Sequence, residues 1–242
     1  MKSVELKGLG DADFQVREAY KTLRTNLQFC GQDVKVIAIT SCTENEGKTS
    51  TAINLAHSLA ELGKDVLFID ADLRKSVITS RHMVGKNIKG LAHYLTGQCS
   101  FDEVVYSTNI EHLYCVFAGV YPPNPAELLS SRYFVHLTSS LKKIYDYVII
   151  DTPPLGSVID AAIVARECDG VAMVIESNWV SHKYAKNVLE QLQKADCRIL
   201  GVILNKVDMS GGRYGSGYGK YYGKGYGKYY GHAYGASPRQ TK

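Results

Sequence analysis

The sequence predicts an α/β protein organised as a doubly wound, mostly parallel sheet. Helical and extended patterns alternate through most of its 242 residues. The extended runs are continuously apolar rather than alternating, as strands buried on both faces must be. Two of them, Val66–Ile69 and Tyr147–Ile150, lead straight into aspartate, and ligands of open parallel sheets gather at that carboxyl edge.

Taken in order, Asp13 is placed to cap a helix running to about Phe29, with Val16, Ala19, Tyr20, Leu23 and Leu27 at helical spacing. After Gly31 comes the first strand, Val34–Thr40, and a helix from Lys48 to Leu62 is closed by Gly63. Val66–Ile69 is the next strand. Residues 75–115 are less regular: Gly90–Leu95 and Phe101–Tyr106 have short helical patterns, and Leu113–Phe117 reads as a strand. Asn124 as cap and Pro125 in the first turn open a helix carrying Ala126–Tyr145. Beyond the strand Tyr147–Ile150 follow a helix at Ile159–Arg166, a strand at Gly170–Glu176, a helix at Ser181–Ala195 and a last strand at Arg198–Leu204.

Composition narrows the function. With 45% hydrophobic and 21% charged residues the chain can bury one sizeable core. No apolar run nears the roughly 20 residues of a membrane span, and the first residues lack a signal-peptide core, so a cytoplasmic location is expected. The six cysteines (Cys30, Cys42, Cys99, Cys115, Cys168, Cys197) form no Cys-x-x-Cys pair, which predicts reduced thiols without a metal cluster. The net charge of +4 hides an asymmetry: residues 210–242 hold six basic residues and no acidic one.

The stretch between the first strand and its helix carries the chemistry. Ser41-Cys42-Thr43-Glu44-Asn45-Glu46-Gly47-Lys48-Thr49-Ser50 is a polar loop ending in Gly-Lys-Thr at a helix start, the layout of a phosphate-binding loop. Backbone N–H groups and the helix dipole favour phosphate there. Lys48 is expected to neutralise the β- and γ-phosphates and Thr49 to hold Mg²⁺. Cys42 stands where Gly is usual, and Asn45 supplies the residue that tolerates positive φ. Asp70, Asp72 and Asp151, just past strand ends, are candidates for metal binding and proton transfer. Together these features specify a fold of the P-loop NTPase type. Asn205-Lys206-Val207-Asp208 has the form of a guanine-reading motif, but Asn205 serves adenine as well, so ATP is favoured and GTP kept as the minor option.

Residues 210–242 differ in kind. Glycine and lysine are interleaved with eight tyrosines: Tyr214, Tyr218, Tyr221, Tyr222, Tyr226, Tyr229, Tyr230 and Tyr234. No aliphatic run can build a core there, which predicts a disordered tail beyond a 1–209 domain. Such a tail suits stacking on single-stranded nucleic acid; beside a nucleotide site, it reads better as a phosphoacceptor.

On these residues the chain resembles the bacterial tyrosine kinases of the capsule and exopolysaccharide type, in their cytoplasmic kinase component. Ser41–Thr49 corresponds to the family's Walker A, Val66–Arg74 to its Walker A′, Val148–Asp151 to its Walker B, and Asn124–Leu129 and the tyrosine cluster to further family segments. Glu44-Asn45 replaces a usual Pro-Gly, and Ser76 stands where Pro is common. The resemblance implies Mg·ATP-dependent autophosphorylation of the tail, catalytic roles for Lys48, Asp70, Asp72 and Asp151, and a ring of subunits. The ring motif appears as Glu18, Lys21 and Arg24 in the helix 14–29, with Lys in place of one Arg, which weakens forked contacts. It also implies a transmembrane adaptor of the polysaccharide co-polymerase type that recruits the kinase to the inner face of the plasma membrane, and a cognate phosphotyrosine phosphatase. The alternative is a regulatory P-loop ATPase or GTPase switch whose tail binds a partner or nucleic acid.

Overall fold

The computed structural model describes residues 2–10, 13–78 and 88–208. The chain divides into two units, Met1–Asn205 and Lys206–Lys242. The eight tail tyrosines lie outside the described residues.

Sixteen-residue α1 (Phe14–Phe29) begins where Asp13 accepts a hydrogen bond from Val16 N–H at 2.9 Å. After it come β2 (Val36–Ser41), α2 (Lys48–Ala60) and β3 (Val66–Asp70), preceded at the amino end by β1 (Lys2–Val4). The chain continues through α3 (Leu91–Leu95), β4 (Val105–Thr108), β5 (Leu113–Val116), α4 (Pro125–Leu129) and α5 (Arg132–Ile144). Then follow β6 (Tyr147–Asp151), α6 (Asp160–Arg166), β7 (Gly170–Glu176), α7 (His182–Lys194) and β8 (Ile199–Asn205).

Among the described residues eight strands form one sheet in the order β1-β4-β5-β3-β6-β2-β7-β8, parallel at every pairing except β4 with β5. Continuous apolar runs give this result because both faces are covered. Val36, Ala38, Leu67, Ile69, Val148 and Ile150 pack against α5, α6 and α7 through residues such as Phe134, Leu141 and Val188. Ile37, Ile39, Phe68 and Ile149 face the opposite way, onto Ile53, Leu55 and Leu59 of α2 and Leu27 of α1.

Three expectations need correction. The helical pattern of Phe101–Tyr106 is a single 3-10 turn, Phe101–Glu103, after which β-favouring Val105 and Tyr106 enter β4. The helix expected over Ala126–Tyr145 is two helices, because Ser131 is extended (φ −69°, ψ 154°) and restarts the helix behind Ser130. Serine competes for backbone hydrogen bonds and favours such breaks. Pro125 does occupy the first turn of α4, but Asn124 makes no side-chain cap. β1 was not foreseen, since three residues carry no readable period.

Candidate active site

The site forms where β2, β3 and β6 end side by side. Register places Asp70 opposite Asp151, and Ile39 opposite Asp151 on the other flank. Two carboxylates therefore meet at one point of the carboxyl edge, and the loop from β2 turns over them into α2. That turn uses left-handed backbone at Asn45 (φ 65°) and Gly47 (φ 90°). A side chain at Gly47 would collide with Asn205, whose Nδ2 lies 2.1 Å from the position a Cβ would take. No side chain caps α2, so its first N–H groups are left to an anionic ligand.

Lys48 reaches across the strand ends. Its Nζ lies 3.3 Å from Asp72 Oδ2, 3.6 Å from Asp151 Oδ1 and 3.3 Å from Thr49 Oγ1. Lys48, Thr49, Asp70, Asp72 and Asp151 are all buried. Burial alone would lower the Lys48 pKa, but Asp151, Asp72 and Asp70 together raise it, and the ammonium stays charged. Burial and the neighbouring Asp151 push Asp70 up to about 7, against the hydrogen bond from the Ser76 hydroxyl and the charge of Lys48. Burial likewise raises Asp151 despite Lys48 and Thr49. Asp72 is fixed by Arg74 N–H at 3.3 Å and Lys75 N–H at 2.9 Å, both donating to Oδ1, and its own N–H donates to Asp70 Oδ1 at 3.1 Å.

Three carboxylates facing one ammonium leave an excess of negative charge in a buried place. Asp151 Oδ1 is buried without a hydrogen-bond partner, since Lys48 at 3.6 Å is an ionic neighbour and not a donor in reach. Among the described residues no three His, Cys, Asp or Glu side chains form a preformed cage. Mg²⁺ does not require one: it takes one or two carboxylates and completes its shell with water and substrate phosphate. The Thr49 hydroxyl and the orphaned Asp151 oxygen are hard oxygen donors that fit it.

The remaining candidate contacts divide by what they touch. Cys42 is fully buried, its Sγ 3.8 Å from Met173 Sδ, so it serves the core and offers the loop only backbone. Glu44 pairs with Lys75 at 2.6 Å on the surface. Thr43 is held by Glu46, which is itself buried. Ser50 is exposed on α2, where its carbonyl accepts from Asn54 Nδ2 at 2.8 Å. Asn205 Nδ2 donates to the Glu46 carbonyl at 2.9 Å. On α1, Glu18 and Lys21 pair with each other at 2.7 Å, while Arg24 turns inward, donating to Ser58 O at 2.6 Å and lying 3.7 Å from Glu61.

Two contributors gave no sequence signal. Asp160, fully buried at the start of α6, takes a forked pair from Arg74 (Nε to Oδ2 2.7 Å, Nη2 to Oδ1 3.0 Å) and so anchors the turn that carries Asp72. Ser76 donates to Asp70 Oδ2. Both partners are far apart in sequence or ordinary in type, and neither forms a motif.

The fold and the site define a P-loop nucleotide-binding protein. Residues 34–202 match the model of a family described as an AAA domain. The chain is 43% identical over 215 residues to the tyrosine-protein kinase CpsD of Streptococcus agalactiae, covering 86% of this chain and 93% of that one. It superposes on the kinase domain of the Escherichia coli tyrosine kinase ETK with a TM-score of 0.80 and 31% identity, over 87% of this chain and 83% of the other. A septum site-determining protein MinD complexed with Mg-ADP, from Pyrococcus horikoshii, is also similar (TM-score 0.63, 27% identity, 73% and 72% covered). The chain belongs to the bacterial tyrosine kinases, and it is a protein-tyrosine kinase.

Proposed function

We propose that the protein transfers the γ-phosphoryl group of ATP to the tyrosines of its own C-terminal cluster, Tyr214 to Tyr234, and that transfer runs between neighbouring subunits. The observation that carries this reading is the convergence of Lys48, Thr49, Asp70, Asp72 and Asp151 at the mouth of the phosphate loop. The uncapped start of α2 binds the phosphates, and Lys48 leaves its carboxylate partners to offset charge on the transferring group. Thr49 and Asp151 hold Mg²⁺, which when bound neutralises charge on the phosphate oxygens. Asp70 and Asp72 stand beside them, one of the two taking the proton of the acceptor hydroxyl. Tyrosine needs that help, since its ordinary pKa is near 10.

Modification reverses the charge of the tail. Eight phosphotyrosines add roughly −12 to −16 against six basic residues. An unmodified tail is drawn to the acidic edge of a neighbouring subunit, and a modified one is repelled, dispersing a ring built on α1 through the exposed Glu18 and Lys21 and through Arg24 once it leaves Ser58 and Glu61. The kinship with the tyrosine-protein kinase CpsD, together with the resemblance to kinases of the capsule and exopolysaccharide type, supports a role in capsular or exopolysaccharide synthesis, with a transmembrane adaptor of the co-polymerase type recruiting the kinase to the inner face of the membrane and a phosphatase resetting it. No described helix is long and apolar enough to cross a membrane, so recruitment is assigned to that partner.

A mixing experiment tests the reading. A version ending at Met209 retains the site but lacks acceptors, and full-length Lys48→Met retains acceptors but lacks the site lysine. With Mg·ATP and an adaptor fragment, phosphotyrosine should appear on the Lys48→Met chain only when both are present. Nucleotide hydrolysis without phosphotyrosine in the mixture or in the wild-type protein would assign a regulatory switch instead.

A further inference from the structure

Glu46 is a carboxylate at the heart of a loop that must bind anions, yet it is fully buried and turned away from solvent. Its two oxygens do different things. Oε1 accepts from the Thr43 backbone N–H and from Thr43 Oγ1 at 2.9 Å, closing the loop on itself. Oε2 accepts from Glu176 N–H at 3.0 Å, at the end of β7. The backbone of the same residue is also held: its carbonyl accepts from Asn205 Nδ2 at 2.9 Å, at the end of β8. The two strand ends are themselves joined by Ser177 N–H donating to Asn205 O at 2.9 Å. Residue 46 is thus fastened by side chain and main chain to the last two strands of the sheet, immediately before Gly47 and Lys48.

A carboxylate with all its hydrogen bonds directed into the protein contributes nothing attractive to a phosphate. A buried carboxylate is also costly unless donors surround it. Here the donors are three groups whose positions define the loop, so the same contacts that keep Glu46 satisfied set the loop's shape before any ligand arrives. Preorganised donors cost no reorganisation when phosphate binds.

We infer that Glu46 and Asn205 are positioning residues that lock the phosphate loop to the ends of β7 and β8, and that Asn205 acts through the loop and not by reading the base. This inference rests on the kinase reading, because the loop it shapes is the one assigned to ATP. The contrast with base recognition is testable: a loop lock governs affinity for any nucleoside diphosphate or triphosphate, whereas a base reader governs the choice between adenine and guanine.

Full-length wild type, Glu46→Gln and Asn205→Ala are compared by titration with fluorescent ADP and GDP, by ATP steady-state kinetics, and by thermal melting. Gln must turn its NH₂ toward one of the N–H groups that Glu46 now accepts from. Glu46→Gln should weaken ADP and GDP alike by about 10- to 100-fold, the effect of losing a hydrogen bond to a charged group. The KM for ATP should rise while kcat changes by less than about threefold, the signature of lost uniform binding. Asn205→Ala should weaken both diphosphates together by a smaller factor and leave their ratio unchanged. Wild-type affinity in folded Glu46→Gln overturns the lock. A changed ADP:GDP ratio in Asn205→Ala overturns its role in the loop and makes it a base reader. If Glu46→Gln fails to fold, Asn205→Ala decides alone, with unchanged affinity counting against the lock. A wild-type protein that binds neither diphosphate would instead refute the nucleotide reading, a result distinct from either.

Discussion

The two ends of the sheet treat buried and half-buried carboxylates in opposite ways. At the amino edge Asp169 accepts from Lys35 N–H and Val36 N–H, each at 2.9 Å, and pairs with Lys142. Burial pushes its pKa up, but those donors outweigh burial and hold it below the usual carboxylate value. At the carboxyl edge Asp70 and Asp151 face one another while Lys48 pairs with Asp72 and Asp151, and both Asp70 and Asp151 are raised. One edge satisfies its charges and stabilises the fold; the other sets three carboxylates around one ammonium and leaves Asp151 Oδ1 without a donor, ready for a ligand. Perturbed carboxylates gathered at a strand end mark function when the same sheet shows that satisfaction was attainable.

Substitutions at the two edges sharpen this contrast. The largest effect belongs to Lys48→Met, expected to reduce phosphotyrosine formation by at least about 10³-fold while the protein still melts cooperatively, because it removes charge offset in the transfer step. Arg74→Ala comes next: it strands the buried Asp160, and equilibrium unfolding should show a loss of about 2–3 kcal/mol, below the full value for a buried pair because the guanidinium is partly solvated.

A matched pair carries the test of sign. Without Mg²⁺ or nucleotide, Asp70→Asn should raise the melting temperature at neutral pH. Its folded pKa is raised to about 7, so the wild type loses stability as pH climbs from about 4, the unfolded value, through 7. Asp169→Asn should lower it. Its folded pKa is depressed, so its contribution is present above about 4 and disappears as pH falls through the folded value. Melting curves of both variants from pH 3 to 8 would break the comparison if the two shifts had the same sign. The smallest effect is expected at the lateral edge, where Leu204 is half exposed on β8: Leu204→Thr should change stability by no more than about 0.5 kcal/mol.

The sheet centre was legible because its strands are apolar throughout, because β3 and β6 end in aspartate, and because the loop after β2 ends in Gly-Lys-Thr at a helix start. The periphery was not: β1 is three residues long, and β4 hides behind a helical turn whose Ser100–Glu103 hydrogen bond, Glu103 accepting from Ser100 N–H at 3.1 Å, resembles a helix start. Within the site, Lys48 could be placed from Gly-Lys-Thr at a helix start, and Asp70, Asp72 and Asp151 from their positions at strand ends. Contacts between distant residues could not. Asp160 with Arg74, Glu46 with Glu176 and Asn205 with Glu46 join positions 86, 130 and 159 apart, and only the parallel crossovers bring them together. Arg24 illustrates the same limit: its spacing with Glu18 places both along one helix, yet packing turns it toward Ser58 of α2.

Intact-protein mass spectrometry of the full-length chain incubated with Mg·ATP and an adaptor fragment tests the central claim most directly. The account predicts a ladder of steps of about 80 Da, one per phosphoryl group, mapping to Tyr214–Tyr234 and absent from Lys48→Met. A ladder that persists in Lys48→Met, or an unmodified wild-type chain that nevertheless hydrolyses ATP, would contradict it.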